Sequence, residues 1–190
     1  MNNFILLICT MILVACSSVG DRKVASMDDA SKPDWSNQQK SVTVKEGKIR
    51  ILGFNELSAD AKISAALRLA DNAARAEFSK MIENNFSTIT QNLEEGVTDE
   101  GGLTRTYSAE VSKTVIHELQ IVHRYWEKVL VMDADGEKSM RLRTYSMAEI
   151  PEAKFKKLLR ERLDKDKIDP EVKKQVLNHF ESEIKDFRSH

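Results

Sequence analysis

The side chains in this sequence that could do chemistry are two cysteines, four histidines, a short acidic run and a large number of carboxylates. Cys9 lies inside the apolar run "FILLICTMILVA" (4–15), and Cys16 follows that run directly in the stretch "LVACSS". Two thiols so placed form no disulfide framework, because one belongs to an apolar leader and the other stands at its end. His117 and His123 are six apart across a predicted helix-to-strand junction and share no face, while His179 and His190 fall near the far end of the chain. A zinc site needs at least a third protein ligand, which this spacing does not supply. "DADGE" (133–137) has the Asp and Gly content of a calcium loop, but not the ligands spread over twelve residues and closed by a Glu, so it reads as a turn. The serines lack a nucleophile-elbow context, and Gly101-Gly102 has no phosphate-loop companion. The expectation is a non-enzyme with no catalytic residue, no metal site and no cofactor.

Cys16 is then the residue with assignable chemistry. The preceding run is shorter than the roughly 20 apolar residues that span a bilayer, yet it fits the apolar core of an export signal. A plain secretory leader cut near Ala15 and a buried first helix are the alternatives. Leu13, Val14, Ala15 and Cys16 together resemble the lipobox of bacterial lipoproteins. That resemblance implies a diacylglyceryl group on the Cys16 thiol, cleavage before it and acylation of the new amine, so that residues 1–15 are a signal peptide. The start "MNN" departs from the usual pattern in having no Lys or Arg. Burial of acyl chains contributes about 0.8 kcal/mol per methylene, and two or three chains make an anchor durable where one does not. Ser17, rather than Asp, after the cysteine resembles the sorting pattern of outer-membrane lipoproteins. The implied location is the cell outer membrane, lipid-anchored and periplasm-facing.

The remaining composition describes one domain with extensions. Lys plus Arg total 29 against 30 Asp plus Glu, a net charge of −1, which argues against general nucleic-acid binding. Residues 16–41 are rich in Ser, Asp, Lys and Asn and poor in large apolar side chains, so they read as a flexible tether, with Trp35 packing on the edge of the fold. Val42 and Val44, then Ile49 and Ile51, alternate about Glu46-Gly47, as in a hairpin or a strand bulged at Gly47. Ser58 offers an N-cap to a helix from Ala59 to about Asn84, whose stripe is Ile63, Leu67, Ala70, Ala74, Phe78, Met81 and Ile82. Its alanines permit close approach to a sheet, while Arg68, Asp71 and Arg75 are spaced as solvated pairs.

Residues 85–93 fit helix and strand equally, 94–102 read as a loop, and Tyr107, Val111 and Val115 mark a helix over about 104–118. Residues 119–133 and 138–150 are β-branched and aromatic around the polar turn, predicting an antiparallel hairpin. After Pro151 two charged helices follow, at about 152–163 and 170–187, the second capped by Asp169 with Pro170 at its first position. The apolar stripe of the last helix is Val172, Val176, Leu177, Phe180, Ile184 and Phe187.

The expected fold is α+β: a small antiparallel sheet packed against a long Ala-rich helix over 42–151, with a helical C-terminal extension over 152–190. Over residues 32–151, "KPDW", "AALRLADNAARAEFSKMI" and "IVHRYWEKVLVM…YSMAEIP" occur in an order similar to the small outer-membrane lipoprotein family that includes the flagellar lipoprotein FlgP and the Lpp-twenty type. The resemblance implies an envelope structural or assembly component that self-associates, in flagellar members into periplasmic rings or disks. The expected partners are the membrane, through the lipid, and copies of the chain or another envelope protein. The sheet around Val122–Met132 and the last helical stripe are the expected contact surfaces. An accessory or activator of a periplasmic cell-wall synthase, reaching outward on the tether, is the alternative. A ligand-binding or hydrolytic lipoprotein would require a deep pocket with convergent polar groups; no nucleic acid or small-molecule substrate is expected.

Overall fold

In a computed structural model, residues 21–29, 31–93, 101–132, 135–165 and 170–188 are described, with the backbone alone along 90–93 and 101–107. Cys16 and the apolar run 4–15 lie outside the described residues, as do the cap Asp169 and residues 94–100 of the expected 94–102 loop, whose last two residues, Gly101 and Gly102, instead begin a helix.

The fold is α+β, as the residue pattern predicts. Five strands, β1 (Arg22–Ser26), β2 (Val42–Lys45), β3 (Lys48–Ser58), β4 (Gln120–Met132) and β5 (Lys138–Pro151), form one sheet in the order β1-β4-β5-β3-β2. Every pairing is antiparallel. The β2–β3 connection is a two-residue hairpin. Glu46 and Gly47 both have positive φ, at 55° and 71°, the backbone that a tight primed turn requires. Val42, Val44, Ile49 and Ile51 then face the core together.

Helices α1 (Ile63–Leu93), α2 (Gly101–Ile116), α3 (Glu152–Lys165) and α4 (Pro170–Asp186) contribute to one apolar cluster with the inner face of the sheet. α1 begins later than its sequence signals indicate, because β3 continues through Ser58 and that residue ends a strand rather than capping a helix. The Ser58 hydroxyl instead bonds the Asp60 carboxylate, holding it below its usual range. At its other end α1 absorbs the ambiguous segment, with Phe86 and Ile89 buried. Gly53 makes the close helix–sheet approach possible: a Cβ there would lie 2.1 Å from the Ala70 carbonyl oxygen.

Two boundaries differ from the sequence reading. The helices after Pro151 are no appendage. Phe155 packs edge-on to Phe78 and Phe180, and Phe180 to Phe86, at centroid distances of 5.6–5.7 Å. Val176, Phe180 and Ile184 are thus buried in the chain's own core, while Val172, Leu177 and Phe187 of the same stripe are partly buried against it. The expected tether is also largely structured. β1 pairs with the outer edge of β4 from Glu127 to Leu130, with a bulge between Lys23 and Ala25. After β1, turns at Met27–Asp29 and Asp34–Asn37 lead the chain across the outer face of the sheet to β2.

Candidate functional site

The N-terminal strap, residues 21–41, joins the segment bearing Cys16 to the domain, and polar contacts hold it. At its start Arg143 on β5 bonds Asp21 and Glu56 at 2.6 Å each, bridging the incoming chain to β3. Midway, Lys32 Nζ donates to the Tyr145 hydroxyl at 2.8 Å and lies 3.4 Å from Glu127. The same ammonium sits 4.3 Å from the Tyr145 ring centroid, a cation–π contact. The Tyr145 hydroxyl in turn donates a hydrogen bond to Glu127 Oε1 at 3.1 Å. Burial pushes the Tyr145 phenol above its ordinary pKa, and the facing Glu127 carboxylate adds to the shift. Tyr125 is pushed the same way, again chiefly by burial. Trp35 stacks on His123, with ring centroids 5.9 Å apart, which places it at the edge of the fold as its position in "KPDW" predicts.

These groups meet because the pleat puts His123, Tyr125 and Glu127 of β4 on the outer face with Arg143, Tyr145 and Met147 of β5. Sequence reasoning assigned the hairpin without finding this cluster. The alternation of charged and aromatic residues in "HRYWEK" and "RTYSM" is the signal that marks a half-polar outer face.

A second cluster lies on the helical side of the sheet. Asp71, read from its spacing as a solvated residue, is buried under a bidentate contact with Arg124 at 3.0 and 2.8 Å and accepts the Ser146 hydroxyl at 2.6 Å. Burial alone would raise its pKa, but the Arg124 and Ser146 hydrogen bonds outweigh it and hold the carboxyl below its usual range. Its neighbour Thr144 donates to the Ala66 carbonyl at 3.0 Å. Glu149 on the outer face is treated likewise: burial raises it, and Lys48 and Arg50, at 2.8 and 2.7 Å, lower it further than burial lifts it. Each carboxylate already has its cation and its donors, so the geometry is that of pinned elements rather than of a base awaiting a substrate proton.

His117 and His123 are exposed and lie on different elements, and His179 borders a shallow groove beside Ile89 and Gln175. Among the described residues no three His, Cys, Asp or Glu side chains are grouped so as to hold a metal ion. An open groove of about 450 Å³ is lined by Lys40, Glu77, Lys80, Asn84, Glu183 and Phe187. No helix of the described residues is long and apolar enough to cross a membrane. Comparison with protein-family models, curated proteins and solved structures finds no match for this chain.

Proposed function

We propose that this chain is a non-catalytic lipoprotein, acylated at Cys16, that serves as a structural or assembly component held against the periplasmic side of the outer membrane. The observation that carries the reading is the distance in sequence between Cys16 and Arg22, where β1 is already paired with β4. Six peptide links of about 3.3–3.6 Å each give a fully extended reach of about 20 Å. With Cys16 acylated, the near edge of the domain stays within that distance of the lipid. Confinement of this kind raises the effective concentration for contacts among neighbours in the same membrane without any change in intrinsic affinity.

The same observation favours the assembly role over an accessory that reaches a cell-wall synthase. Such reach requires a flexible stretch as long as the expected 16–41 tether, and only 17–20 lie between Cys16 and the described strap. The resemblance to small outer-membrane lipoproteins supports the role in kind, including association in the envelope. Within the last helical stripe Val176, Phe180 and Ile184 fill the core, which leaves the partly buried Val172, Leu177 and Phe187 for assembly contacts.

Intact-mass measurement on protein from its native host tests the reading. The expected mass begins at Cys16 and carries acyl chains, and solubilised material co-purifies with copies of itself or with other envelope structures. An unmodified Cys16, or an uncut leader, refutes it.

A further inference from the structure

We infer that the β1–β4–β5 end of the sheet docks on the bilayer to which Cys16 is attached, through exposed methionine and valine side chains interspersed with lysines and arginines; this rests on the acylation proposed above. Val24, Met132 and Met140 are among the few large apolar side chains left exposed, at 55%, 41% and 41%. The ladder places Met132 and Met140 at one end, where Arg22 pairs with Leu130, Leu130 with Met140 and Met132 with Lys138, and Val24 stands at the β1 bulge between the residues paired with Val129 and Lys128. Arg22, Lys23, Lys128, Lys138 and Arg141 lie on the same few rungs. The described carboxylates nearby are Asp135 and Glu137 in the turn, Asp21 beside Arg22, Glu127 beside Lys128, and Asp60, whose charge Lys128 faces.

The occupant is identified by where the chain enters. Asp21 is tied to Arg143 on β5, a strand of that same end, and five residues (17–21) separate Cys16 from Arg22. So short a link cannot carry the anchor around the molecule to its far side, where the α3 and α4 helices pack. The end facing the anchor carries the chemistry that a bilayer boundary accepts: apolar side chains for the acyl border, with lysines and arginines for phosphate headgroups. Methionine suits such a surface, being unbranched and able to conform to an irregular apolar medium.

The methionines supply the assay, because oxidation of the thioether follows its exposure. The mature chain is attached through Cys16 to a maleimide-bearing lipid in phosphatidylethanolamine–phosphatidylglycerol vesicles, beside host-purified acylated protein in vesicles of the same composition. Limited peroxide oxidation is read residue by residue by mass spectrometry, against the thiol-blocked chain in solution. The expected result is an at least threefold fall in the oxidation rate of Met132 and Met140, with Met27, at the opposite end of β1, unchanged. The fall should shrink on phosphatidylcholine vesicles, which lack anionic headgroups. Solution-like rates at Met132 and Met140 on anchored protein overturn the docking. So does protection that depends on protein density at fixed lipid composition, because a second copy would then be the cover. Host protein with an unmodified Cys16 refutes the acylation separately, and the chemically coupled vesicles still decide whether this end docks.

Discussion

Replacing Gly53 by alanine should come close to unfolding the domain. The added Cβ would stand 2.1 Å from the Ala70 carbonyl oxygen, 2.4 Å from the Ala74 amide nitrogen and 2.9 Å from the Ala74 Cα. A carbon meets a carbonyl oxygen comfortably at about 3.3 Å, so α1 would have to retreat by about 1 Å. All three obstructing atoms are backbone, and no rotamer change relieves them. A retreat opens a gap along Ala66, Ala70, Ala74 and Phe78, which are fully buried. A radial gap of about 1 Å forfeits up to half of each van der Waals contact, worth about 0.1–0.2 kcal/mol apiece, and a buried side chain makes tens of them. The loss comes to about 3–5 kcal/mol, at the upper end of what overpacking costs and a large share of a typical 5–15 kcal/mol total. With a urea slope of about 2 kcal/mol/M, the midpoint should fall by about 2 M. Gly47→Ala is the comparison, since a Cβ there meets nothing within 4 Å and only the positive φ opposes it, at about 1–2 kcal/mol. A Gly53→Ala midpoint within 0.5 M of the parent, by about the accuracy of such extrapolations, would refute close packing of α1 on β3.

Acid should destabilise the fold through Asp71 and Glu149, whose folded pKa values lie below their unfolded ones. Their contribution is present above the ordinary carboxyl range and is lost as pH falls through the depressed values. Asp71→Asn should therefore be less stable than the parent at pH 7 but lose less between pH 5 and 2, as read from urea midpoints across that range. Phe180→Asp should abolish cooperative unfolding and near-ultraviolet dichroism, because it places a charge between Phe86 and Phe155 at a cost of about 3–5 kcal/mol. A folded variant altered only in particle size would instead return the last stripe to the surface.

Local periodicity carried the β4–β5 hairpin, the long helix and both late helices, because each has an apolar pattern that only one element type satisfies, whereas over 42–54 it gave extended chain without deciding between a hairpin and a bulged strand. Residues 85–93 were ambiguous since "FSTIT" holds strand formers at helical spacing; Phe86 and Ile89 become helical because α4 and the rest of the core wait on that face. Asp71 was misread for a related reason. Spacing of three and four identifies which residues share a helix face, but not what the face opposes, and its partners Arg124 and Ser146 lie 53 and 75 residues away. The strap was the largest omission. Its composition is that of a segment unable to bury apolar surface, and it does bury little. It is held by backbone pairing to β4 and by Asp21–Arg143 and Lys32–Tyr145, contacts spanning 122 and 113 residues that no local pattern encodes.

That hold decides between a short leash and a long one. Releasing β1 and the strap would free about 20 further residues, and a coil of that size spans about 25 Å at about 5–6 Å per root residue. Release requires breaking four ladder positions, at a net of about 0.5–1.5 kcal/mol per hydrogen bond, and exposing Ser26 and Ser36 together with the ion pairs over Glu127 and Arg143. A sum near 5 kcal/mol leaves the long form populated at on the order of one molecule in several thousand. An anchored chain with this strap therefore works next to its membrane unless a partner supplies binding energy of that size, and a partner doing so would have to compete for the β4 edge or for Tyr145 and Glu127, the groups the strap now occupies.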